Sequence, residues 1–197
     1  MKYNFDHDTS WDYFLKLLKS DLSVNERWIK LIEFHEKSAP KTYWTKLKSM
    51  DLSAEKELLN GWLGELVTKS PLPASVTALW IGIFKHMQDE KEMYVIYLSG
   101  ADTYTKGDID WAADLTYLPK DRYAVPGTLN EIDRLIEKDK TDYHFLDWIL
   151  PIAYSAFIFE EIIRTMSDKK LFLHHKPELL FATGHDNGDY VDLSAIR

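Results

Sequence analysis

Val76-Thr77-Ala78-Leu79-Trp80-Ile81-Gly82-Ile83-Phe84 and, a few residues on, Met93-Tyr94-Val95-Ile96-Tyr97-Leu98 decide the fold class. Both runs are nearly continuous in apolar, β-branched and aromatic residues. The segment between them, Gln88-Asp89-Glu90-Lys91-Glu92, is charged and polar. The pair reads as two antiparallel central strands of a sheet covered on both faces.

Working outward, Pro71-Leu72-Pro73 marks a boundary, since each proline disfavours helix at the residue before it. Ahead of it the pattern is helical. Trp11, Phe14, Leu15 and Leu18 recur on one stripe of a 3.6-residue period, with Thr9 or Ser10 as N-cap. Ser23-Val24-Asn25-Glu26 is a capping box, and behind it Val24, Trp28, Leu31, Ile32 and His35 share a face. A short helix over 42–48 and a fourth from near Ser53 follow, the latter with Leu59, Trp62, Leu63 and Leu66 on one side. Gly61 and Gly64 weaken it by about 1 kcal/mol each relative to alanine, or let another element approach.

Beyond the strand pair, residues 99–127 have no clear period and are rich in Gly, Asp, Tyr and Pro. A connection that long in a compact domain is usually functional. Thr128-Leu129-Asn130-Glu131 is a second capping box and starts a helix to about Lys138. Residues 143–166 form a helix that is apolar almost all round and therefore buried, which Pro151 kinks or begins. Strands return at Leu171–Leu173, Glu178–Thr183 and Tyr190–Leu193, with Asn187-Gly188 as a type I′ hairpin signal. The fold class is α+β: a helical N-terminal region (1–70) packed with an α+β region (71–197), forming one compact unit. The second region holds a mostly antiparallel sheet of about five strands and a long buried helix.

Composition narrows the function. The 197 residues carry a net charge of −8. Residues 1–70 hold 11 basic and 11 acidic groups, so the excess lies wholly in 71–197, with 13 against 21. A negative face repels phosphate backbones and anionic lipids and attracts basic partners, which argues against nucleic acid and membranes. Cysteine is absent, which removes disulfides, thiolate nucleophiles and cysteine zinc sites. The N-terminus lacks the apolar core of a signal peptide, and the uncharged stretch Trp148 to Phe159, like the longer one from Ser70 to Phe84, is short of the ~18–20 residues that cross a bilayer. A cytoplasmic location is expected.

Two constellations carry possible chemistry. The first is the loop with Asp102, Asp108, Asp110, Asp114 and Asp121 among Tyr104, Trp111, Tyr117 and Tyr123. It matches no calcium-loop spacing. Its ordinary reading is a solvated loop with aromatics turned inward; the functional reading is an acidic, aromatic docking surface. The second is Gly184-His185-Asp186-Asn187-Gly188-Asp189, half a metal site or, more ordinarily, a turn whose Asp and Asn serve its conformation. His174-His175 is read at a strand end, with rings on opposite faces. Glu160-Glu161 marks the point where the long helix meets water. No HExxH, GxGxxG, Walker or GxSxG pattern occurs, so an enzyme reading has no residue to name.

Trp80-Ile81-Gly82-Ile83-Phe84, Tyr97-Leu98-Ser99-Gly100-Ala101-Asp102, Asp110-Trp111-Ala112, Tyr117-Leu118-Pro119, Arg122-Tyr123 and the terminal Gly184…Asp186-Asn187-Gly188-Asp189-Tyr190 resemble a pattern in small uncharacterised bacterial proteins, some of them similar to toxin-immunity proteins. The resemblance covers 76–125 and 180–193 and leaves out the N-terminal helices. It departs from the best-known immunity family, whose N-terminal signature is absent. It implies an intracellular, non-catalytic protein that covers a partner's surface. The expected function is a protein-binding module without cofactor or metal, docking a basic partner through Asp108, Asp110, Trp111, Asp114, Tyr117, Arg122 and Tyr123. The alternative is a metal-assisted hydrolase or transferase that brings the carboxylates of 102–114 together with His185, Asp186 and Asp189.

Overall fold

The structure, a computed structural model, describes residues 4–174, 176–186 and 188–197, without the side chain of Gln88. Among these residues, seven α-helices and one five-stranded mixed sheet make an α+β fold. Helices α1 (His7–Leu18), α2 (Val24–Ser38), α3 (Trp44–Lys48) and α4 (Leu52–Lys69) come first. They are followed by β1 (Ala78–Gln88), β2 (Lys91–Ala101), a 3-10 turn (Ile109–Ala112) and β3 (Tyr123–Ala124). The chain continues through α5 (Gly127–Ile136), α6 (Tyr143–Thr165), α7 (Lys170–Leu173), β4 (Leu180–His185) and β5 (Tyr190–Asp192).

Helix starts follow capping chemistry, not always the expected one. At α2 the box forms: the Ser23 hydroxyl accepts from the Glu26 N–H, and the Glu26 carboxylate accepts from the Ser23 N–H at 2.8 Å. Helix α1 begins earlier than Thr9 or Ser10, because Asp6 accepts from the Thr9 N–H at 2.8 Å and leaves Ser10 buried inside the helix. At α5 the Thr128–Glu131 box is not made. The helix starts at Gly127, and Glu55 of α4 takes the N–H groups of Gly127 (3.3 Å) and Thr128 (2.8 Å). A carboxylate at a helix N-terminus satisfies orphan donors and opposes the helix dipole, wherever in the sequence it comes from.

The sheet order is β3-β2-β1-β4-β5. Strands β1 and β2 pair antiparallel from Ala78 opposite Ala101 to Gln88 opposite Lys91, as expected. Their turn places Asp89 and Glu90 at positive φ, as a two-residue type I′ connection requires. The β2–β3 and β4–β5 pairs are also antiparallel, whereas β4 runs parallel to β1, with Ala78 opposite Leu180. A parallel pair needs a long crossover, and α5 and α6 lie within it. In the β4–β5 hairpin the His185 N–H donates to the Asp189 carbonyl (3.1 Å); the Asn187-Gly188 turn expected there includes a residue outside the described ones. Asn187 and His175 lie outside the described residues. Where β3 is too short to cover β2, Asn130 of α5 stands in for a strand: its side-chain amide accepts from the Tyr94 N–H (2.8 Å) and donates to the Tyr94 carbonyl (3.0 Å).

Alternation along the strands sends Leu79, Ile81, Ile83, Tyr94, Ile96 and Leu98 to one face, where a single core joins them to α6 and to Phe14, Trp28 and Leu63 of the N-terminal helices. Trp80, Ala101 and Ala182 face the other way, under Trp111 from the 3-10 turn. Helix α6 is buried along most of its length, as expected. Pro151 lies in its interior and not in its first turn. Leu171–Leu173, expected as a strand, belongs to α7: the N–H groups of Leu173 and His174 donate one turn back to the carbonyls of Lys169 (2.9 Å) and Lys170 (3.0 Å). Three apolar residues are too few to separate helix from strand, and burying Phe172 alone suits a single turn. His174 therefore ends a helix, at positive φ, and not a strand. Among the described residues no helix is long and apolar enough to cross a membrane.

Candidate functional site

The loop after β2 divides between surface and interior. Asp108 is exposed and caps the 3-10 turn by accepting from the Asp110 N–H at 3.0 Å. Asp110 and Asp114 are exposed. Trp111, at 5 % exposure, is a packing residue: its ring meets Trp80 edge-on (6.2 Å between centroids) and lies 5.3 Å from Tyr104. Tyr117 is likewise buried, its hydroxyl donating to the Ser70 carbonyl while its backbone brackets Gly100. Tyr123, 48 % exposed, sits on edge strand β3 opposite Tyr97, with the Arg122 guanidinium 4.6 Å from its ring centroid. Trp111 and Tyr117 are thus closed to a partner, while the three aspartates, Arg122 and Tyr123 have access to solvent.

The same fold draws the 3-10 turn beside the β4–β5 hairpin. A cleft of about 340 Å³ opens between them, lined by Trp80, Tyr97, Ile109, Asp110, Ala112, Ala113, His185, Asp186 and Gly188. Its geometry depends on Gly82. A Cβ there would stand 2.1 Å from Tyr97 Cε1, so the glycine lets the Tyr97 ring lie down across β1. The Tyr97 hydroxyl then reaches past β1 and donates to Asp186 Oδ1 at 2.8 Å, while Trp80 Nε1 donates to the hydroxyl at 3.1 Å. Burial, together with the bond to Asp186, holds the Tyr97 hydroxyl above the usual phenol range. Burial also raises Asp186, opposed by the Tyr97 bond and by His185. His185 Nε2 donates to the Trp148 carbonyl (2.9 Å), which fixes its tautomer.

A second cleft of about 420 Å³ shares His185, Asp186 and Gly188 and is bounded by Phe84, Lys85, Tyr94, His144, Asp147 and Trp148. Here the Lys85 ammonium donates to Asp133 (3.0 Å), Asp147 (2.9 Å) and the Tyr143 hydroxyl (2.6 Å), and sits 4.7 Å from the Tyr94 ring centroid. Burial disfavours its charge, but these bonds outweigh it and raise Lys85 above the lysine range. All three N–H groups are used, so Lys85 ties β1 to α5 and α6 and is not free as a base or nucleophile.

Asp110, His185 and Asp186 therefore line one cleft although they are far apart in sequence. Among the described residues, however, no group of three His, Asp or Glu side chains is placed to hold a metal. What the cleft offers is aromatic surface beside carboxylates. Trp80, Tyr97 and Asp186 were not singled out together by sequence reasoning; the available signal was Gly82, an isolated glycine in a strand pattern, which marks a close approach. In comparisons with known proteins, no family model, curated protein or solved structure matches the chain, so the role of the cleft is argued from its own geometry.

Proposed function

We propose that the protein is a non-catalytic binding module that docks a basic protein partner on the acidic face around this cleft. One observation carries the reading. Asp108, Asp110 and Asp114 of the loop and Asp186, Asp189 and Asp192 of the hairpin are all exposed. Their segments adjoin: Asp192 lies close enough to Tyr104, and Asp108 to Tyr190, to add to burial in raising their hydroxyls, and Asp110 shares the cleft with Asp186. Among the described residues none of these six carboxylates is paired with a lysine or arginine. Unneutralised charge gathered on one face steers a cationic partner and contributes little to the fold. The resemblance of 76–125 and 180–193 to immunity-type proteins agrees with this reading, and on it the partner is a toxin met inside the cytoplasm.

The test replaces Asp108, Asp110 and Asp114 together with asparagine and measures association with a partner recovered from the native host at two ionic strengths. Slower association with a shallower salt dependence, at unchanged thermal stability, is expected. An unchanged on-rate and salt slope overturns the proposal.

A further inference from the structure

We infer that the cleft between Trp80, Tyr97 and the 3-10 turn receives one arginine side chain of the partner, its guanidinium on the aromatic wall and against Asp186. This deepens the proposed function and rests on it, since the arginine is supplied by a basic protein.

The cleft has the parts such a side chain needs. Its volume, about 340 Å³, lies at the small end of the ~300–1,000 Å³ typical of ligand pockets, so it suits one side chain better than a folded segment. Ile109, Ala112 and Ala113 offer apolar surface for a stem, and the half-buried Tyr97 offers a ring for a cation above a floor closed by the buried Trp80. Asp186 is oriented in advance: its Oδ1 accepts from Tyr97, and among the described residues its Oδ2 has no hydrogen bond. Asp110 stands on the opposite wall, its carboxylate also without a donor among the described residues. The lysine of the neighbouring cleft, Lys85, is committed to Asp133, Asp147 and Tyr143 and does not neutralise them.

Arginine fits this set better than lysine does. Its guanidinium is flat, stacks on aromatic rings, gives two parallel donors to one carboxylate and sheds water more easily than an ammonium. The placement of Asp186 depends on Gly82, because only a residue without Cβ lets Tyr97 lie flat enough to reach it. The occupant is thus a single guanidinium entering from the acidic face.

The experiment uses the full chain and three probes: N-acetyl-arginine amide, N-acetyl-lysine amide and a hexa-arginine peptide. The Trp80 indole N–H is assigned in a nitrogen–proton spectrum from the Trp80→Phe variant. The arginine probe should shift that signal saturably, with the lysine probe several-fold weaker, and Asp186→Asn should weaken the arginine probe by about tenfold or more. Equal response to both probes, no shift at Trp80, or indifference to Asp186→Asn overturns the inference. A double variant, Asp108→Asn with Asp114→Asn, separates the two readings because it leaves both carboxylates of the cleft in place. If hexa-arginine binding falls in the double variant but not in Asp186→Asn, the acidic face stands and the arginine pocket is wrong. If neither change nor added salt affects hexa-arginine, both fail.

Discussion

The Tyr94 hydroxyl lies 2.6 Å from the carboxylate of Asp147 and 3.2 Å from its carbonyl oxygen. That carbonyl is the acceptor an N–H at position 151 would reach one turn later, and position 151 is proline. A gap in the bonding of a buried helix thus faces a donor from the sheet, and burial with the charge of Asp147 keeps that hydroxyl protonated. Tyr94→Phe should cost about 1–3 kcal/mol. Pro151→Ala alone should change little, but in the double variant the new N–H should recover part of the loss. Urea unfolding of the four proteins measures the coupling, and strict additivity would exclude this role for Tyr94.

Gly82→Ala should be costly because two rings lie over the glycine. The added Cβ would meet Tyr97 Cε1 at 2.1 Å and Trp80 Nε1 at 2.7 Å, so Tyr97 must lift and release Asp186. A loss of about 1–3 kcal/mol is expected, with a displaced Trp80 indole signal. Gly61→Ala is the control: nothing lies within 4 Å of its Cβ on α4, and removing a helical glycine should stabilise by up to about 1 kcal/mol.

Acid should act on the core through His35. The ring is fully buried; Nδ1 donates to the Leu31 carbonyl (3.0 Å), and Nε2 faces the Ser10 hydroxyl (3.3 Å). Burial lowers its pKa to about 4, with the Leu31 bond opposing. A histidine depressed in the folded state contributes stability above its unfolded value of about 6.5 and loses it as the pH falls toward 4, by about 1.4 kcal/mol per unit. Asp133 and Asp186, both raised by burial, work in the opposite sense as they take up protons. His35→Phe isolates the histidine term: the difference in urea midpoint between parent and variant should shift against the parent between pH 6.5 and 4.5. A difference independent of pH would show that His35 does not titrate there.

Glu55→Ala removes two bonds at the start of α5 from a residue 72 and 73 positions away. The expected loss is about 1–2 kcal/mol, the size of a lost N-cap, and amide exchange at Gly127 and Thr128 should quicken. Protection unchanged at those two amides would mean that water replaces the carboxylate without cost.

The sequence made local chemistry legible and remote chemistry not. The Ser23–Glu26 box closes within one turn, and it forms as expected. The Thr128–Glu131 box looked the same in sequence, but its amides went to Glu55, which no local pattern could announce. The β1–β2 pair was readable from composition because both strands are covered, whereas the parallel direction of β4 depends on a crossover that periodicity does not record. Of the expected docking residues, Trp111 turned inward over Trp80, Ala101 and Ala182 on the second face of the sheet, and Tyr117 joined the main core. The cleft itself is a tertiary product, with Tyr97 and Asp186 joined across a glycine.

The parallel seam between β1 and β4 also sets an order of events. Ala78 and Leu180 meet across a long span of chain, and the Tyr97–Asp186 bond joins residues 89 apart. Closing so large a loop is slow and entropically costly, while the helices and the β1–β2 hairpin form from near neighbours. On loop closure alone, the cleft should form after the helices and the β1–β2 hairpin. A destabilised variant can keep its helical circular dichroism and already have lost the Tyr97–Asp186 bond.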